Sequence, residues 1–453
     1  MQSQQPLAPP QMGRRSVSLA IAIILLILGA AVGTGAGYFA FNRTTNTTTT
    51  VQTTLCQQGG TITIGELLDL SQTLSDQGTR AKDSSVLAIN DINAMLSSSG
   101  CGNLKFATAI DDYALDDTKA LNDLTAFASS GVQVVVGPLN SGTALHILSY
   151  ANNHHIVLIS PSSTSPALAI PNDYLFRTVP NDAAQGLADA RIMNDRGATA
   201  VIMLARDDTY GEGLATATGN RFVALGGHVI DNITYDHTAA DAGTLDWTAT
   251  LAKLDSDFSN NVALYGASHI AIDAISFEEF ASMITKASTF PSFPWSTIPW
   301  FGTDGEADNG KVIGGSGNEP ALVAQVKLLS TLFATSNNTK TVTLYNTFAS
   351  RYSPQTCDSY CLGAYDDLWL AALATLQAGS YNGTAIAANM LAMASNYYGV
   401  TGLATLQPSG DRVPTAYQIW EVVNQGSPAV PTWVQSGTWD NGSDSVSWSP
   451  GYP

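Results

Sequence analysis

Positive charge is scarce in this chain of 453 residues: 19 Lys and Arg stand against 37 Asp and Glu, a formal net charge of -18. Binding to a phosphate backbone needs a basic face, so nucleic acid is excluded as a partner. Histidine is thin too, at six residues, and the adjacent His154 and His155 read as a helix end beside a strand rather than as ligands or bases. The four cysteines include no C-x-x-C pair, and the chain has no H-E-x-x-H pair, Walker A loop or G-x-S-x-G elbow. No metal site and no cofactor motif therefore follow from the sequence. The one hydrolytic set the residues allow is Ser141, His146 and Asp111 or Asp112. His146 lies one helical turn after Ser141 and faces its own backbone about as readily as the serine, so the chain is not read as an enzyme.

Hydrophobic residues make up 45% of the chain, enough for two or three domains with real cores. Residues 17–41 carry no charge; about 25 residues at about 1.5 Å each span roughly 37 Å, sufficient to cross a bilayer with some tilt. Arg14 and Arg15 precede the run and only Arg43 follows before Arg80, which keeps residues 1–16 as a cytoplasmic tail and sends the rest outside. The run is longer than a usual signal core, which favours a retained single-pass anchor over a cleaved signal peptide. Residues 42–57, dominated by Thr and Asn, bury no core and read as a stalk.

All four cysteines then lie on the exported side, where disulfides persist. Three pairings are possible. Cys56 with Cys101 and Cys357 with Cys361 is preferred, and a metal site is the weaker alternative because no histidine stands nearby. Sequons at Asn42, Asn46, Asn232, Asn337, Asn382 and Asn441 fit a glycosylated protein at an archaeal-type cell surface.

The most informative stretch is 132–182. Two short β-branched runs, 132–136 and 156–159, each break into Gly, Pro and hydroxyl residues, and 143–152 between them has helical spacing. That is a βαβ unit with parallel strands, and its polar turns fall at the strands' carboxyl ends, where open α/β sheets bind small ligands. Asn140-Ser141-Gly142 and Ser162-Ser163-Thr164 there offer hydroxyls and backbone N–H groups to a carboxylate. Upstream, 61–65 and 104–110 are strands, 80–96 and 117–129 helices, with a polar turn at Asp76-Gln77-Gly78. Downstream the alternation restarts: helices at 183–196, 213–225, 244–254 and 272–286, strands at 200–204, 227–233, 262–265 and 300–302. An apolar helix at 362–377, a strand at 416–423 and an aromatic ribbon at 433–448 complete the chain. The fold expected is α/β, two doubly wound parallel-sheet lobes with a cleft between them.

The residues also resemble a known family. The pieces are Ile62-Thr63-Ile64-Gly65, Ala88-Ile89-Asn90-Asp91-Ile92-Asn93, Val135-Val136-Gly137-Pro138 with Ser141, Ile159-Ser160-Pro161, Phe176-Arg177-Thr178, Asp208-Thr209-Tyr210-Gly211, Gly226-Gly227 and Gly410-Asp411. In order and spacing they are similar to the type I periplasmic binding proteins of the branched-chain amino acid (leucine/isoleucine/valine-binding) group, which serve ABC importers. The resemblance covers roughly 62–423. It implies lobes joined by three crossings near Pro180, Phe333 and Arg412, with 58–180 and 334–412 in one lobe and 181–333 and 413–453 in the other. It implies a carboxylate seat at Ser141, Ser163 and Thr164, an ammonium-binding acid at Asp304, and cleft-lining positions at Tyr210, Tyr265 and Gln77. Gln77 replaces an aromatic and Asp304 a longer Glu, which admits an amide, urea or short peptide as well as an amino acid. The partners implied are that small molecule and an ABC permease; a membrane-tethered sensor using the same cleft is the alternative.

Overall fold

The computed structural model describes residues 54–315 and 317–450. The apolar run at 17–41 and the sequons at Asn42 and Asn46 lie outside them. Among the described residues no helix is long and apolar enough to cross a membrane.

The first sheet holds β1 (Gly60–Leu68), β2 (Leu104–Asp112), β3 (Val134–Val136), β4 (Val157–Ser160) and β5 (Leu175–Arg177) in the order β2-β1-β3-β4-β5, all parallel. The β-branched runs bury both faces. Val134, Val136, Val157 and Ile159 pack on one side with the helices Ser75–Ser98 and Ser359–Ala378, while Val135 and Leu158 pack on the other with Leu124, Phe127 and Ile147. Parallel strands covered by helices on both sides have this composition. The Ser359–Ala378 helix has no polar face because residues 359–376 are all buried.

The second sheet contains β6 (Ala200–Arg206), β7 (His228–Tyr235), β8 (Ile270–Ile275), β9 (Trp300–Gly302) and β10 (Leu329–Phe333), joined after a small hairpin, β11 (Tyr398–Gly399) with β12 (Gly402–Leu403), by β13 (Ala416–Gln425), β14 (Val430–Asp440) and β15 (Ser445–Trp448). The order is β15-β14-β13-β10-β9-β8-β6-β7. β6 to β10 run parallel, whereas β13 to β15 are added antiparallel. The chain passes between the sheets three times: from β5 to the helix Asp182–Asp195, from β10 to the helix Thr339–Tyr352, and from Asp411, bridged to Arg177, into β13.

Three sequence expectations are corrected. Residues 262–265 are not a strand but the end of the helix Thr248–Tyr265, and 272–286 is not one helix but β8 followed by the helix Phe280–Ala287. A fully buried strand has no alternating pattern, so 272–275 carries no strand signal in the sequence and falls within the helical expectation. The turn at 76–78 is the first helical turn of Ser75–Ser98, because Asp69 takes the turn's role: its carboxylate accepts the N–H groups of Ser71, Gln72 and Leu74.

Both preferred disulfides are formed, Cys56–Cys101 and Cys357–Cys361. Among the described residues no group of three or more His, Cys, Asp or Glu is placed to hold a metal. Asn232, Asn337 and Asn382 are exposed and Asn441 is half-buried.

Candidate functional site

The carboxyl ends of the parallel strands of both sheets converge on one small cavity. The first sheet contributes Leu74 and Gln77 from the loop and helix start after β1, Leu139, Asn140 and Ser141 after β3, and Ser162 after β4. From the second come Tyr210 after β6, Phe277 after β8, and Asp304 and Gly305 after β9; Tyr360 closes the rear from the start of the Ser359–Ala378 helix. The free space inside it is about 10 Å³, room for about one water molecule.

On the first-sheet side, Ser141 begins a helix with Asn140 at its N-cap, so the helix's first N–H groups point toward the cavity. The Ser141 Oγ accepts the N–H of Thr164 at 3.1 Å and of Ser165 at 3.0 Å, and Ser160 Oγ accepts that of Ser163 at 3.0 Å. These bonds wind the turn after β4 so that Ser162 lines the cavity, while the buried hydroxyls of Ser163 and Thr164 lie behind it, that of Thr164 beside the Asp182 carboxyl. Arg177 fastens the same turn by donating to the carbonyls of Ser163 and Ser165.

Asp304 forms the opposite wall. Its Oδ1 accepts from Gln185 Nε2 at 2.9 Å and Tyr210 OH at 2.6 Å, and its Oδ2 from Tyr360 OH. All three donors are neutral. The carboxylate is therefore hydrogen-bonded without being neutralised, and burial raises its pKa against the lowering effect of Tyr210, Tyr360 and Gln185. Asp182 stands beside it, fully buried; burial and then the charge of Asp304 drive its pKa well up against the lowering effect of the Thr164 hydroxyl, which favours its protonated, neutral form. Tyr210 stacks on Phe277 at 5.3 Å, and Phe277 lies 4.0 Å beneath the Arg206 guanidinium, which pairs with Asp208, Asp241 and Glu279.

Contacts also span the mouth of the cavity. Asp76 N–H donates to Glu278 at 2.8 Å, Gly310 N–H to Asp76 at 3.0 Å, and Thr73 Oγ1 to Asp241 at 2.5 Å.

Of the residues singled out from the sequence, Gln77, Ser141, Tyr210 and Asp304 line one cavity. Tyr265 does not. It stacks on His228 at 5.6 Å, beside the amino ends of β7 and β8, so it lies at the sheet edge opposite the cavity. His146 is exposed, 3.8 Å from Asp117, while Ser141 faces inward, so no hydrolytic set with those residues is assembled. The sequence reading missed Asp182, Gln185, Phe277 and Tyr360. A signal existed for the first two: Asp182, Gln185 and Asp189 recur at spacings of three and four on one helix face, and all three are buried.

A family model described as the receptor family ligand-binding region matches residues 80–425. An uncharacterised protein of Methanocaldococcus jannaschii is 28% identical over 418 residues, 88% of this chain and 94% of that protein. Among solved structures, a leucine-binding protein of Thermotoga maritima aligns with a TM-score of 0.67 at 20% identity, covering 86% of this chain and 97% of that one. An ABC transporter substrate-binding protein of Desulfitobacterium hafniense, in complex with leucine, aligns at 0.60 and 20% identity, covering 83% and 100%. At these identities the two structures establish the fold, that of the type I periplasmic binding proteins.

Proposed function

Since the chain belongs to the family of receptor ligand-binding regions, we propose that it is an extracytoplasmic solute-binding protein that takes a small amino-acid-like or amide solute into the cavity between its two halves and delivers it to an ABC permease. The observation that carries this reading is Asp304: a buried carboxylate on the cavity wall whose three partners are all neutral. A guest ammonium supplies the missing positive charge, or an amide N–H a neutral donor, and the contact gains strength from the burial of Asp304. The guest's carboxylate or carbonyl end meets Ser141 and the start of its helix, with Ser162 at the rim and Ser163 and Thr164 shaping the turn behind. Gln77 and Asn140 supply amide groups where an aliphatic side chain alone would have no use for them.

The mechanism is binding, with no bond made or broken. A guest that touches Ser141 on one side and Asp304 on the other favours the closed arrangement by its differential affinity for it. Leucine in the Desulfitobacterium hafniense complex supports an amino acid; the polar lining here extends the candidates to amides, urea and short peptides.

The test is a thermal-shift screen of these compounds followed by calorimetry, since a tight ligand raises the melting point by mass action. Asp304→Asn keeps the shape and removes the charge; it is expected to cost about 3 kcal/mol of affinity for an ammonium-bearing solute, roughly a hundredfold in Kd. A panel in which no solute shifts the melting point, or an Asp304→Asn protein that binds as tightly as wild type, sinks the reading.

A further inference from the structure

The Cys357–Cys361 disulfide joins residues four apart in sequence around the start of the Ser359–Ala378 helix. Inside that loop lie Asp358, Ser359 and Tyr360, consecutive, all buried, and each directed to a different part of the molecule. Asp358 caps the helix by accepting the N–H of Cys361 at 2.7 Å, and its other oxygen faces Arg80 Nη1 at 3.3 Å on the Ser75–Ser98 helix. Ser359 Oγ donates to the carbonyl of Phe333, the last residue of β10, at 2.6 Å. The hydroxyl of Tyr360 donates to Asp304, on the loop after β9. One bridged turn therefore ties a helix of the first sheet, a chain crossing and the cavity carboxylate together.

We infer that Tyr360, held in place by the Cys357–Cys361 bridge, positions Asp304 for the solute, so that affinity at the cavity depends on this bridge and not on Cys56–Cys101. This rests on the reading that Asp304 meets the solute. The first turn of a helix is where its hydrogen bonding is incomplete and fraying begins; a covalent tie from Cys357 to Cys361 removes that freedom at the turn bearing Tyr360. Tyr360 touches Asp304 from an element packed on the first sheet, whereas Tyr210 and Gln185 reach it from helices packed on the second. Loss of its hold lets Asp304 turn toward Tyr210 and Gln185 and away from the guest. The other titratable groups that share the field of Asp304 are Asp182, Asp189 and Tyr417.

The experiment compares wild type, Tyr360→Phe, the Cys357→Ser/Cys361→Ser pair, their combination, and the Cys56→Ser/Cys101→Ser pair as control. In the unliganded proteins, carboxyl ¹³C NMR follows the titration of Asp304, assigned by its absence in Asp304→Asn. In the liganded ones, calorimetry follows whichever of L-leucine, L-asparagine, acetamide and urea raises the wild-type melting point most. Tyr360→Phe and the bridge pair are both expected to move the Asp304 midpoint to higher pH and to weaken Kd about tenfold, with the combination no worse than Tyr360→Phe alone. The control pair is expected to lower the melting point and leave both readouts alone. A bridge variant that matches wild type in both readouts, or effects that simply add, overturns the inference. If the Asp304 midpoints move as stated and none of the four solutes binds wild type, the solute-binding reading has failed while the positioning by Tyr360 stands. Where the bridge pair does not fold, native-state reduction of the wild type, with alkylation mapped by mass spectrometry to Cys357 and Cys361, gives the same comparison.

Discussion

The Arg177 guanidinium closes on the Asp411 carboxylate at 2.6 Å, with both side chains buried. Arg177 ends β5 and Asp411 bridges to it from the segment that leads into β13, so the pair clamps two chain crossings together. The remaining Asp411 oxygen accepts from Asn181 at 2.9 Å, which pins the start of a third segment. Removing one partner of a buried pair leaves the other's charge uncompensated, which costs far more than the intact pair contributes. Asp411→Asn is therefore expected to lower unfolding stability by about 3–5 kcal/mol, read by chemical denaturation. A loss below about 1 kcal/mol is the range of exposed pairs and contradicts this account.

Glu66 sets a pH dependence of known sign. It lies fully buried in β1, one oxygen accepts from Ser85 at 2.6 Å, and the Thr108 hydroxyl stands beside the carboxyl from β2. Burial lifts its pKa from 4.5 to about 7. The folded state thus holds a proton that the unfolded chain releases from pH 4.5 upward, so this contribution to stability is whole below 4.5 and lost as pH rises through 7. Glu66→Gln keeps the Ser85 bond and cannot ionise. Relative to wild type it is expected to be level at pH 4.5 and more stable by up to about 3 kcal/mol at pH 8. Denaturant titrations of both proteins at the two pH values check it, and a difference that does not change with pH refutes the assignment.

Tyr265 offers a negative control. Its ring stacks on His228 at the amino edge of the second sheet. Tyr265→Ala is expected to leave solute affinity unchanged within twofold while removing a half-buried ring, a loss of about 1 kcal/mol or so of stability. A tenfold change in Kd by calorimetry would return this residue to the site.

How far the sequence could be read follows from which physical signals are local. The 132–182 unit was legible because two β-branched runs flank a helix with clear spacing, and the turns at their carboxyl ends are chemically distinctive. The family was legible for the same reason: its pieces cluster at those turns. Tyr210 and Asp304 came from that resemblance, and both line the cavity. The strand at Ile270–Ile275 carries no local signal because full burial erases alternation. Tyr360 was invisible for a different reason. Nothing within several residues marks it as a partner of Asp304, 56 positions away in sequence; only the packing of the Ser359–Ala378 helix brings the two together. Phe277, after the misread strand, is a consequence of the same error.

Gly78 gives the last prediction. It lies in the first turns of the Ser75–Ser98 helix, next to Gln77 in the cavity wall, and a Cβ placed on it would stand 1.7 Å from the carbonyl oxygen of Asp69. Asp69 cannot retreat easily, because its carboxylate is bonded to the N–H groups of Ser71, Gln72 and Leu74. Alanine at an ordinary helical position would stabilise the helix by about 1 kcal/mol over glycine. Here that gain is opposed by overpacking against backbone, which in tight cores costs about 1–3 kcal/mol and more where nothing yields. Gly78→Ala is therefore expected to lower the melting point and, by pushing the helix start outward with Gln77, to weaken solute binding as well. A Gly78→Ala protein that melts higher than wild type would mean that the turn at Asp69 gives way freely, and that Gln77 is not held against the cavity by this contact.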